Sequence, residues 1–150
     1  MGGDFSGNIA VFRLLLGWVG MYNVKNNLGV CQLNRAELIS TIQIGEVFQN
    51  PGGGTSIVLS ITDKNIRYKR KNSPIPLPID AFFAVLSDFS GKKCSSADLE
   101  KYKPKVFSRE YNGHSCNCTF LFCLAEKAGL IEGGIQGRGK TGDPFYVTFK

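Results

Sequence analysis

The chain is short of most of what catalysis draws on. It has a single histidine, His114. Its 12 acidic residues are scattered, and no carboxylate is followed by an E-x-K-like pair on adjoining strands, the arrangement that holds a nuclease's metal ions. Glu126-Lys127 falls in a helical stretch and Asp63-Lys64 in a turn. Internal repeats and low-complexity tracts are also missing, which excludes solenoids and arrays. The apolar stretch 9–22, IAVFRLLLGWVGMY, is short for a membrane span and carries Arg13 within it. No basic segment precedes it, so it makes a poor secretory signal. It reads as a buried helix, with no membrane partner. Five cysteines are an odd count for a secreted disulfide framework, so a reducing cytoplasmic setting is expected.

What is present points elsewhere. Lysine and arginine number 18 against the 12 acids, a net charge of +6 with an isoelectric point near 9.1. That balance favours an anionic partner, of which nucleic acid is the commonest, with plain solubility as the bland alternative. A 43% apolar fraction and 11 phenylalanines support a folded globule. A length of 150 residues suits one domain, or a small domain with an appendage.

The stretch GGIQGRGKTGDPF, residues 133–145, matches the G-x-x-x-x-G-K-[ST] pattern from Gly134 to Thr141. A phosphate-binding loop of that kind needs a helix leading out of it. Here Gly142-Asp143-Pro144 follows, then the strand-like FYVTF. The same residues fit a hairpin tip carrying Arg138 and Lys140. No cofactor is expected.

The pattern along the chain is α+β. Residues 1–8 form a Gly-rich tail that is expected to be flexible. Residues 9–78 hold the apolar helix, a helix over 34–43 capped by Asn34, and strands over 55–62 and 65–71 joined at Asp63-Lys64. The prolines of SPIPLPID (73–80) predict an extended connection. Residues 79–150 read as helix, short strand, helix capped at Ser95 or Ser96, a loop over 105–113, a third helix over 115–128, and the hairpin. In the third helix Phe120, Leu121, Leu124, Ala125 and Ala128 make a buried stripe. The two parts are expected to form one compact unit.

That order, with the basic Gly-rich hairpin IEGGIQGRGKTGDPFYVTF, resembles winged-helix domains, the helix-turn-helix variant that binds DNA. The resemblance covers about residues 79–150 and rests on element order and the hairpin. It implies that the third helix enters the major groove and the wing lies on phosphates. His114, Asn117 and Thr119 then become base-reading residues, and Arg138 and Lys140 become wing contacts. The loop over 105–113 is longer than the family's usual turn. The run KNIRYKRK places Arg67, Lys69 and Lys71 on one strand face, a second phosphate-facing patch or a solvated edge.

The expected partner is therefore double-stranded DNA. The chain would be a regulator, or the recognition part of a restriction or modification system. Two alternatives stand beside this. Cys94, His114, Cys116 and Cys118 offer zinc-ligand chemistry, or a thiol hydrolase based on Cys116 or Cys118 with His114. A protein–protein adaptor with a basic face is the other. The apolar stretch 9–22 also leaves room for a homodimer seam.

Overall fold

The computed structural model describes residues 33–150, so the tail 1–8 and the apolar stretch 9–22 lie outside the described residues. The first described helix, α1 (Arg35–Thr41), starts where the sequence predicts it. The Asn34 side chain accepts from the Glu37 N–H at 2.8 Å. An antiparallel four-stranded sheet follows: β1 (Val47–Gln49), β2 (Thr55–Ile61), β3 (Asn65–Arg70) and β4 (Ser73–Pro78), paired in that order.

Strand β4 is the segment expected to be a mere connection. It pairs with β3 along its whole length. Its prolines, Pro74, Pro76 and Pro78, alternate with Ser73, Ile75 and Leu77, so all three point their missing N–H to the same side. Because β4 is an edge strand, that side needs no ladder partner. Ile75 and Leu77 are buried beneath.

The second half runs α2 (Ile79–Asp88), β5 (Lys93–Ser95), α3 (Ser96–Tyr102), α4 (Pro104–Phe107), a 3-10 turn (Arg109–Tyr111), α5 (Cys116–Lys127), β6 (Ile131–Gln136) and β7 (Tyr146–Phe149). Strands β5, β7 and β6 form a three-stranded antiparallel sheet in that spatial order. Helix α3 opens with a full capping box. The Ser95 hydroxyl accepts from the Asp98 N–H at 3.1 Å, and the Ser95 N–H donates to the Asp98 carboxylate at 2.9 Å. The loop over 105–113 is largely ordered into α4 and the 3-10 turn. At its end the Gly113 N–H donates to the Ser108 carbonyl and the His114 N–H to the Val106 carbonyl. A side chain at Gly113 would come within 2.7 Å of the Pro104 carbonyl oxygen, so only glycine lets the chain close there.

Among the described residues the protein is thus α+β, with no helix long and apolar enough to cross a membrane. No helix leaves Thr141. The tip closes instead as a bridge between Lys140 and Asp143, and strand β7 follows, which rules out a nucleotide-binding P-loop.

Helix α5 is the centre of the molecule. Every residue from Asn117 to Ala125 is buried, where the sequence predicts a one-sided stripe. The four-stranded sheet covers one flank. Phe120 stacks on Tyr68 of β3 with ring centroids 3.8 Å apart, and meets Phe48 of β1 edge-on at 5.6 Å. Burying one aromatic side chain of this size contributes about 1.5–3 kcal/mol. Helices α3 and α4 and strand β6 pack against the remaining surface. A helix apolar on all sides belongs in an interior.

Candidate nucleic-acid interface

The burial of α5 decides the fate of the predicted reading residues. Asn117 is 1% exposed. Its amide oxygen accepts from the Tyr68 hydroxyl at 2.7 Å, and its amide nitrogen donates to the carbonyls of Pro76 and Val106, both at 3.1 Å. These bonds tie β3, β4 and α4 to the first turn of α5. A side chain so committed cannot pair with an adenine, and its role is structural. Thr119 is also buried. Its hydroxyl donates to the Cys116 carbonyl and receives Arg70, each at 3.3 Å. The four-stranded sheet lies over one flank of α5, and the residues from Asn117 to Ala125 are buried. His114, just ahead of the helix, remains exposed.

The basic strand divides. Ile66, Tyr68 and Arg70 face the interior side of the sheet, while Arg67 and Lys69 project from its outer face. Lys71 is not on the strand at all. It sits in the turn to β4 with φ at +53° and is exposed. The expected row of Arg67, Lys69 and Lys71 is therefore broken, and its first two members lie across the sheet from the hairpin tip.

The interior cation, Arg70, joins two open clefts. The first, of about 670 Å³, lies between the first turns of α3 and α5 and the hairpin tip. Arg70 stands on one wall and Lys140 on the hairpin side; Ser96, Ser115, Thr119 and Thr141 contribute hydroxyls. Glu100 is the one carboxylate in that lining. The second cleft, of about 720 Å³, is lined by Arg70, Lys71, Arg109 and His114 and by no carboxylate. Ser115 and Cys116, at the start of α5, border both clefts, so the positive end of that helix dipole faces them too. Arg70, Lys71, Arg109 and Lys140 make no ion pair among the described residues. Arg70 is half-buried, and among the described residues its guanidinium donates only to the Thr119 hydroxyl.

The hairpin tip, 136–142, is exposed throughout, as the sequence predicts. Its two cations are not equivalent. Arg138 is paired through Nε with Asp143 at 2.9 Å, whereas Lys140 has no ion pair among the described residues and borders the first cleft. Gly139 holds φ at +70° directly over the ring of Phe145, where a Cβ would lie 2.3 Å from the ring edge.

The four cysteines at described positions are free thiols. Burial, as the largest cause, pushes Cys94 up to about 12 and Cys123 up to about 11, and raises Cys118 further. Cys116 alone of the four is half-exposed. Among the described residues no three of His, Cys, Asp and Glu come together as a metal site, so Cys94, His114, Cys116 and Cys118 are not assembled as zinc ligands.

Of the residues that the sequence singles out, Lys140 and His114 line these clefts, and Arg70, Arg109 and Glu100 join them there. For Arg70 the signal was there, since strand alternation puts it on the face of Ile66 and Tyr68. Arg109 and Glu100 carried none, because they meet the clefts only through the packing of α3 and α4. No family model matches the chain, and no curated protein or solved structure matches it either.

Proposed function

We propose that this protein binds nucleic acid, double-stranded DNA first, through its phosphates. The C-terminal half acts as a winged-helix-like module whose wing and neighbouring clefts, not its third helix, meet the strand. One observation carries the proposal. Four cations with no ion pair among the described residues, Arg70, Lys71, Arg109 and Lys140, converge on two clefts that meet at the N-terminus of α5, and among the described residues Glu100 is the single carboxylate in either lining. An array of like charges with no internal partner is relieved by a polyanion, which releases its counterions on binding. The element order α2, β5, α3, α4, α5, β6, β7, with the strands paired β5-β7-β6, supports the winged-helix-like description. With α5 enclosed, binding tolerates any base sequence.

The test is fluorescence anisotropy with duplex and single-stranded DNA at several salt concentrations. Duplex binding should weaken steeply with salt. Arg70→Gln combined with Lys140→Gln should lower the slope of log K against log salt by about two. A duplex affinity that is undetectable, or indifferent to salt, removes the proposal and turns attention to an acidic protein partner.

A thiol hydrolase is the second reading, favoured by His114 and Cys116 sharing the wall of the second cleft. It requires Cys116 to alkylate nearly as fast at about pH 6 as at about pH 8. A rate that falls about tenfold per unit of pH disposes of it.

A further inference from the structure

The first cleft differs from the second in having walls of three chemical kinds. Arg70 and Lys140 supply positive charge, Ala97, Pro144 and Phe145 an apolar surface, and Glu100 a single carboxylate. A groove meant only for a continuous backbone has no use for the last two. Glu100 would repel phosphates, and the apolar wall would stay wet. The three together match one ligand chemistry. A phosphate takes the cations, a flat heterocycle takes the apolar wall, and a sugar diol or exocyclic amine donates to the carboxylate. The volume of about 670 Å³ falls in the range of small-molecule sites, about 300–1,000 Å³.

The cleft is also rigidly framed. Its roof, the hairpin tip, is held by backbone bonds between Lys140 and Asp143 at 2.8 and 3.1 Å, and Gly139 lies close over Phe145. Its floor is the first turn of α5, tied down through Asn117. Arg70 is held at Thr119 with most of its donors unused.

We infer that the first cleft is a pocket for one nucleoside monophosphate unit, with its phosphate between Arg70 and Lys140 and a sugar or base donor on Glu100. The inference rests on the nucleic-acid reading for its natural source, an unstacked nucleotide within a strand, and the same chemistry is offered by a free nucleotide. Extruding a base from a duplex costs a few kcal/mol, least where the base is already unpaired. The pocket therefore favours bulges and ends over continuous duplex.

The full chain is titrated with AMP, CMP, GMP and UMP, and with inorganic phosphate as the reference, by calorimetry. In parallel it is titrated by anisotropy with a fully paired DNA hairpin and the same hairpin carrying one bulged nucleotide. At least one mononucleotide should bind about tenfold more tightly than inorganic phosphate. Glu100→Gln should remove that margin while leaving phosphate binding intact, and Arg70→Gln should weaken both. Circular dichroism confirms that each variant is folded, and Thr141→Val serves as a second, milder change in the same lining. A bulge preference of about tenfold identifies a strand nucleotide as the source, and mononucleotide binding without it identifies the free ligand. If the paired hairpin binds with the expected salt dependence but neither a mononucleotide margin nor a bulge preference is seen, the pocket is overturned and the proposed function stands. If a mononucleotide binds and no hairpin does, the pocket stands and the proposed function falls.

Discussion

Asn117 shows how much one side chain can decide. It lies one residue into α5, where a polar group is normally free to read a base, yet it holds three elements of the fold together. Replacing it by alanine would leave the Tyr68 hydroxyl and the Pro76 carbonyl without their Asn117 partner in the interior, while the Val106 carbonyl keeps the His114 N–H. Each orphaned buried group costs about 1–3 kcal/mol. Asn117→Ala should therefore lower the urea midpoint by an amount equivalent to about 2–4 kcal/mol, with phosphate-driven DNA binding unchanged under conditions where the protein is folded. A variant as stable as the parent would show that the amide bonds carry no net weight. Cys116 is the other informative residue. Mass-spectrometric mapping after brief alkylation near pH 8 should find it labelled well before Cys94, Cys118 and Cys123, whose burial both shields them and holds their protons. Equal labelling of Cys116 and Cys118 would mean that α5 opens readily.

The elements were legible where local chemistry fixes them. Asn34 and Ser95 are caps by residue type, and Gly129 with φ at +73° ends α5. The alternation of Ile57, Leu59 and Ile61 marks β2 as a strand but not its buried face, which is that of Ser56 and Val58. Legibility failed where the deciding partner is distant in sequence. Strand β4 looked like a linker because proline is a poor strand former, and only its place at a sheet edge makes the spacing of two acceptable. Nothing near the first turn of α5 in sequence announces Tyr68, 49 residues earlier, as the partner that buries Asn117. The exposed, basic hairpin tip is legible in its glycines and cations, whereas the clasp between Arg138 and Asp143 depends on how the tip closes. That clasp withholds one cation from any polyanion. Asp143→Asn keeps the backbone bonds of the bridge and frees Arg138. It should tighten duplex binding and raise the salt slope by about one. An unchanged slope would mean that Arg138 points away from the bound strand.

Stability of the whole molecule is tied to protons on its interior thiols. Burial holds Cys94 at about 12 and Cys123 at about 11 and raises Cys118 as well, against an ordinary thiol value of 9.0. The folded form keeps these protons after the unfolded chain has begun to lose them. The resulting stability is complete below about pH 9 and is drained as the pH climbs from there toward 12. The thermal midpoint should fall between about pH 8 and pH 10.5, and Cys94→Ala should flatten that decline. A midpoint constant over the range would sever the link.

A helix enclosed by strands from both ends of the described chain also governs how the protein can be divided. Severing the backbone between Pro78 and Ile79 leaves Phe120 without Tyr68 and Phe48, and leaves Tyr68 without Asn117. Neither piece, 1–78 nor 79–150, should be well behaved when made separately. Produced together, they should find each other and regain the parent's circular dichroism, because the apolar faces of Phe48, Tyr68 and Phe120 meet between the two pieces. The protein is thus a ready split reporter, in which recovery of fold signals that two tethered fragments have been brought into proximity.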